Sequence, residues 1–218
     1  MGELIDLAQR RQAVQTRARG REPVRAQLFF DLACPFTYLA TERVERAFAH
    51  VTWTAASAEA LQRRCLADDA ETLDRVRAAA EGRAATLRLP LVWPEASPKP
   101  VAAAMRAAAF AAEQGRGGAF VLAAGRLAFC GGFDLDDPEI LAEAAAASGI
   151  RLGECLRAAG DTRRDGAMEA AGRRLLAAGA DRLPALRIGR SLFWGEQRVA
   201  AAAAAVGPSR PALARLER

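Results

Sequence analysis

A cysteine, the proline after it and a threonine three residues on are the residue types here whose spacing could do chemistry. Cys34-Pro35-Phe36-Thr37 follows the apolar, aromatic run Gln27-Leu28-Phe29-Phe30-Asp31. Such a run reads as a buried central strand. Pro35 then opens a helical pattern, because proline is favoured at the first helical position, where its missing N–H would be unpaired anyway. Cys34 is therefore expected at or just before a helix N-terminus. Unpaired backbone N–H groups and the positive end of the helix dipole favour an anion there. A thiol so placed sheds its proton more readily, which makes Cys34 a candidate thiolate nucleophile. Thr37 lies one turn on, on the same helix face, where its hydroxyl could hydrogen-bond the sulfur. The same residues also allow a plainer reading, in which Cys34 is a small buried hydrophobe at a strand end.

The other candidates add little. Cys65, Cys130 and Cys155 form no C-x-x-C spacing with each other or with Cys34, and His50 is the single histidine. That set does not make a zinc site by pattern, so no metal is expected. Buried structural cysteine is the favoured reading for all three. Cys130 draws interest because Gly131-Gly132 follow it. His50 precedes the strand-like Val51-Thr52-Trp53-Thr54 and reads as a turn residue. With no Cys–His pair near Cys34 in the sequence, activation of the sulfur has to come from the helix end and hydrogen bonds.

The elements that must position Cys34 come from both ends of the chain. Strand Ala26–Asp31, helix Phe36–Ala49 and strand Val51–Thr54 make a βαβ unit with parallel neighbours and a right-handed crossover. Helical patterns fill the middle: 58–66, 69–87, 101–114, 119–129, 138–147, 152–159 and 163–178. Asp136-Asp137-Pro138-Glu139 is a well-formed helix start, and Gly149 reads as a helix stop. Strand signals return at Ala185-Leu186-Arg187-Ile188 and Ser191-Leu192-Phe193-Trp194 around the two-residue turn Gly189-Arg190. Glu196 to Val206 completes a last helix. The expectation is one α/β sheet domain of order β-α-β … β-β-α, with a helical insertion packed over its face.

Charge and composition exclude some classes. The 218 residues suit one domain or one domain with an insertion. The net charge of +5 sits at the ends. Residues 1–25 and 209–218 hold nine of the 31 basic and four of the 26 acidic residues, leaving 22 of each in the body. A body without net positive charge is a poor counterion-releasing surface, so no nucleic-acid partner is expected. The Ala-rich runs carry regular Arg and Glu, so no membrane span is expected. The first residues hold Glu3 and Asp6 and no long apolar core of a secretory signal. A cytoplasmic location, where disulfides do not persist, is the expectation. Residues 1–24 read as a short amphipathic stretch followed by a polar arm.

The pattern strand–Asp–x–x–Cys–Pro–Phe–Thr–Tyr–Leu–Ala resembles the active-site segment of the DsbA-like thioredoxin-fold superfamily. That group contains DsbA oxidoreductases, kappa-class glutathione transferases and 2-hydroxychromene-2-carboxylate isomerases. Cys34 stands where the last two place a serine and where DsbA places its nucleophilic cysteine. Thr37 stands where DsbA has its resolving cysteine. Downstream, Asp181-Arg182-Leu183-Pro184-Ala185-Leu186 and Phe193-Trp194-Gly195-Glu196-Gln197 resemble the segment that carries the superfamily's cis-proline. The resemblance runs from about Val24 to Val206. It implies a thioredoxin fold over 25–57 and 179–207, interrupted by a helical insertion over 58–178, with an extension at 1–24 and a tail at 208–218.

The resemblance also implies a site. Pro184, if cis, would face Cys34 and expose the Leu183 backbone as a pairing edge for a peptide or glutathione. Pro35, Phe36, Trp194, Glu196 and Gln197 complete the candidate binding set. The Asp that grips the γ-glutamyl amine in kappa-like proteins is absent at the matched positions, which hold Glu196 and Gln197, with Glu196 the available substitute. The asparagines those proteins carry have no counterpart, since the chain contains no asparagine. Trp93, Phe36, Phe110, Phe133 and Trp194 are available to line an apolar pocket or the core. A dithiol cycle would need a second thiol to resolve a mixed disulfide, which Thr37 cannot supply. Three functions follow. The first is a thiol oxidoreductase using Cys34 alone, in mixed disulfides with glutathione or a small thiol. The second is a glutathione-dependent transferase or isomerase of kappa type. The third is a non-catalytic thioredoxin-fold binding module. A homodimer is expected from the resembled families.

Overall fold

A computed structural model of the chain describes residues 25–62, 70–95 and 99–206. The expectations for residues 1–24, for Cys65 and for the tail at 208–218 lie outside them.

β1 (Ala26–Phe30) pairs in parallel with β2 (Val51–Ala55) through the crossover helix α1 (Pro35–Ala47). β3 (Ala185–Ile188) lies antiparallel on the other side of β1, and β4 (Ser191–Trp194) pairs antiparallel with β3. The sheet order is β2-β1-β3-β4. The β3–β4 turn is Gly189-Arg190, with Gly189 at a positive φ of 58° that glycine adopts without strain. α9 (Glu196–Val206) follows β4.

Between β2 and β3 come α2 (Ala58–Gln62), α3 (Ala70–Leu87), α4 (Ala102–Glu113), α5 (Gly117–Phe129), α6 (Pro138–Ser148), α7 (Leu152–Ala159), a short 3-10 turn and α8 (Asp165–Ala177). Their ends follow from the sequence. Asp137 caps α6 by accepting the Glu139 N–H, Pro138 is its first residue, and Gly149 stops it in the left-handed region.

The insertion is not confined to one face of the sheet, as the sequence suggested. β1 explains why. Leu28 and Phe30 point into a core shared with α1, α4, α5, α6 and α9, while Phe29 points into a second core with α2 and α8. A central strand apolar on both faces needs cover on both. Leu28 and Phe30 are fully buried, and each such side chain contributes about 1.5–3 kcal/mol of burial free energy.

Two of the contacts that hold the insertion to the sheet domain lie beside β1 and β2. The Leu32 N–H points at Met105 Sδ on α4, 3.2 Å away. α5 starts with Gly117 so close to the sheet that a Cβ there would lie 2.7 Å from Trp53 Cβ on β2.

Candidate functional site

Cys34 is the N-cap residue of α1, with extended backbone (φ −91°, ψ 113°) and Pro35 next in the helix. Its N–H donates to Asp31 O (3.2 Å), and its carbonyl accepts the Thr37 N–H (3.0 Å), which closes the loop tightly. The thiol is half-buried and points across the sheet domain to the far end of the sequence, where Sγ donates to Leu183 O at 3.6 Å. The Leu183–Pro184 bond is cis, and Pro184 O accepts the Gly195 N–H at 2.9 Å. Cys34, Leu183, Pro184 and Thr37 are therefore brought together across about 150 residues of chain, with Leu183, Pro184 and Thr37 buried. Trp194 packs against the same core cluster as Cys34 and Leu183, under the Arg198 guanidinium.

The electrostatics correct the expectation of an easily ionised thiol. The Thr37 and Phe36 amides and the Thr37 hydroxyl do favour the thiolate, as a helix start should. Burial outweighs them, the Asp31 carboxylate adds to it, and the Cys34 thiol is pushed up to about 11. At neutral pH the sulfur is S–H.

Glu196 is not free to grip a ligand amine. Its buried carboxylate accepts from Arg43 on one oxygen and from Arg83 on both, with Arg83 Nε 2.6 Å from Oε2. The reason is geometric: α9 lies against α1, and α3 brings Arg83 to the same point. Gln197 is exposed, Phe36 is half-buried against the first core, and Pro35 is buried. The five aromatics do not gather into one pocket. Trp93 stacks edge-on against Phe129, Phe110 lies under Arg164, and Phe133 is nearly half exposed. A small cavity of about 20 Å³ beside Leu32 and Ala33 is lined by Phe129 and Phe133.

Neither described second cysteine reaches Cys34. Cys155 is buried against Leu141 O, and Cys130 contacts the Tyr38 hydroxyl (3.0 Å), which itself donates to Pro90 O (2.9 Å). Tyr38 and Asp31 are polar residues that the sequence reading did not single out, although both lie inside the quoted motif. A carboxylate ending an apolar strand three residues before the cysteine was the available signal. Among the described residues, no cluster of three or more His, Cys, Asp or Glu is arranged to hold a metal, and no helix is long and apolar enough to cross a membrane.

The DSBA-like thioredoxin domain model matches residues 26–207. The chain belongs to this family. The DSBA-like family is one of enzymes. No curated protein sequence matches the chain. Among solved structures, a 2-hydroxychromene-2-carboxylate isomerase is similar, at TM-score 0.70 and 15% identity, over 83% of this chain and 93% of that one. A probable DsbA oxidoreductase from Streptomyces coelicolor is similar at TM-score 0.65 and 23% identity, over 84% and 88%. These likenesses are of fold. The DSBA-like fold of this chain keeps one cysteine at the start of α1 and Thr37 three residues later.

Proposed function

We propose that this DSBA-like protein is a thiol-dependent oxidoreductase in which Cys34 is the one reacting sulfur. Its partner is a small thiol, with glutathione the first choice. The observation that carries this reading is the 3.6 Å approach of Cys34 Sγ to Leu183 O beside cis-Pro184. In the first step the Cys34 thiolate attacks the glutathione sulfur of a mixed disulfide between glutathione and a small thiol; that S–S bond breaks, and the small thiol leaves reduced, as thiolate. A glutathione thiolate then attacks the Cys34–glutathione disulfide, releasing the Cys34 thiolate and forming glutathione disulfide, so that two glutathiones supply the two electrons and no second protein cysteine is needed.

A thiol pushed up to about 11 makes this chemistry pH-dependent. Roughly one sulfur in ten thousand is thiolate at pH 7, and the reacting fraction rises about tenfold per pH unit until the thiol titrates. Adduct formation should follow that slope. The test is incubation with oxidised glutathione between pH 7 and 10, read by intact mass. A single glutathione adduct that disappears in Cys34→Ser supports the reading; no adduct at any pH, or one that survives in Cys34→Ser, ends it.

One observation favours a second reading. A neutral Cys34 S–H can donate a hydrogen bond, as a serine hydroxyl would. In a glutathione-dependent transferase or isomerase, that S–H and the Thr37 hydroxyl would steady the thiolate of a bound glutathione. The engagement of Glu196 by two arginines weighs against it. Tight binding of reduced glutathione by calorimetry, without any adduct, would favour it over the first.

A further inference from the structure

Asp31 takes no part in the chemistry above, yet it is one of two buried carboxylates among the described residues and sits three residues before the thiol. Its oxygens are divided between two parts of the molecule. Oδ1 accepts the Ala33 N–H at 2.9 Å, inside the loop that carries Cys34. Oδ2 accepts the Ala58 N–H at 3.0 Å, and Ala58 is the first residue of α2, where the insertion begins. The Asp31 backbone joins the same loop, with its carbonyl on the Cys34 N–H and its N–H facing Thr37 Oγ1 at 3.5 Å. Of these contacts, the one to Ala58 alone reaches beyond the loop and the first turn of α1.

The charges around this carboxylate are unfavourable to it. Burial and Glu59 on α2 push the Asp31 carboxyl up, and the Ala33 and Ala58 N–H groups hold it down. Its negative charge, when present, acts on Cys34, the other titratable group of the loop, and disfavours the thiolate.

We propose that Asp31 is a positioning residue for Cys34 that couples the thiol to the insertion: α2 sets how firmly the carboxylate is held, and the carboxylate sets the loop geometry and the field at the sulfur. This rests on the reading of Cys34 as the reacting group. Movement of α2 away from Ala58's present place removes one of the two donors that sustain the charge, and the restraint on Cys34 weakens. A carboxylate that merely caps α2 and the turn would leave the sulfur's titration untouched.

The test is the pH profile of iodoacetamide alkylation at Cys34, followed on the tryptic peptide 26–43, which carries no other cysteine. Asp31→Asn should alkylate at least about threefold faster at pH 8, half a unit's worth of extra thiolate, with the whole profile moved to lower pH. Ala58→Pro removes the donor to Oδ2 without changing any charge, and proline is accepted at a first helical residue. It should move the profile the same way by less. An Asp31→Asn protein with native circular dichroism and the wild-type profile overturns the proposal, as does a uniform rate increase without a shift in pH. Should Asp31→Asn not fold, an unmoved profile in Ala58→Pro overturns it alone. Loss of glutathione adduct formation bears on the proposed function, whereas the alkylation profile bears on Asp31.

Discussion

The two buried carboxylates among the described residues are built in opposite ways. Glu196 is held by two guanidinium groups, Arg43 from α1 and Arg83 from α3, and ties three helices together. Asp31 is held by two backbone N–H groups and faces a like charge, Glu59. A charge compensated by two guanidinium groups acts as a structural tie. A charge held by amides alone remains uncomfortable, and its field reaches its neighbours. That difference separates the acidic residue suggested by family resemblance as a ligand contact, which two arginines hold, from the one beside the cysteine, whose charge helps push the thiol up.

The sharpest way to break the contrast is Glu196→Gln. Removing the charge leaves Arg43 and Arg83 facing each other without compensation, and a loss of about 3 kcal/mol is expected in urea unfolding. A loss below about 1 kcal/mol would show that Glu196 is no tie. Asp31→Asn should cost less, about 1–2 kcal/mol, because one N–H loses its acceptor while an uncomfortable charge is removed. The pH dependence carries a sign. The folded state holds the Asp31 proton more tightly than the unfolded chain does, since burial raises this carboxyl. Its stabilising contribution is present below the ordinary carboxylate value and is lost as pH rises through the folded value. The stability gap between wild type and Asp31→Asn should therefore narrow with rising pH.

Cys34 extends the comparison to alkaline pH. Its thiol is raised from an ordinary value near 9 to about 11, so its contribution is intact below 9 and lost as pH rises through 11. Cys34→Ala should lose stability less steeply than wild type over that range in thermal melts. The smallest effect is expected at Asp181, an exposed carboxylate paired with its neighbour Arg182. Asp181→Asn should change stability by less than about 0.5 kcal/mol.

Much of this was legible in the sequence because it rests on local rules. Pro35 placed the start of α1, Gly189-Arg190 placed the β3–β4 hairpin, and Asp137-Pro138 with Gly149 bounded α6. Cys34 and Leu183-Pro184 were paired through resemblance, and the structure brings them into contact. What escaped depends on who meets whom across the fold. Nothing near Glu196 announces Arg43 or Arg83. The helix start at Cys34 was visible, but the burial that overrides it belongs to the packing of α2 and α8 over Phe29. The same packing explains why the insertion covers both faces, which β1 hinted at by being apolar at successive positions.

Gly117 limits how this architecture can be recombined. Trp53 fills the space that any side chain at position 117 would require. The helical segment and the strand it rests on therefore cannot be shuffled independently. A chimera that imports a helix with alanine at this point would meet Trp53 Cβ, which every residue but glycine keeps, and the Ala112 Cα, so trimming residue 53 makes no room and the helix itself would have to shift.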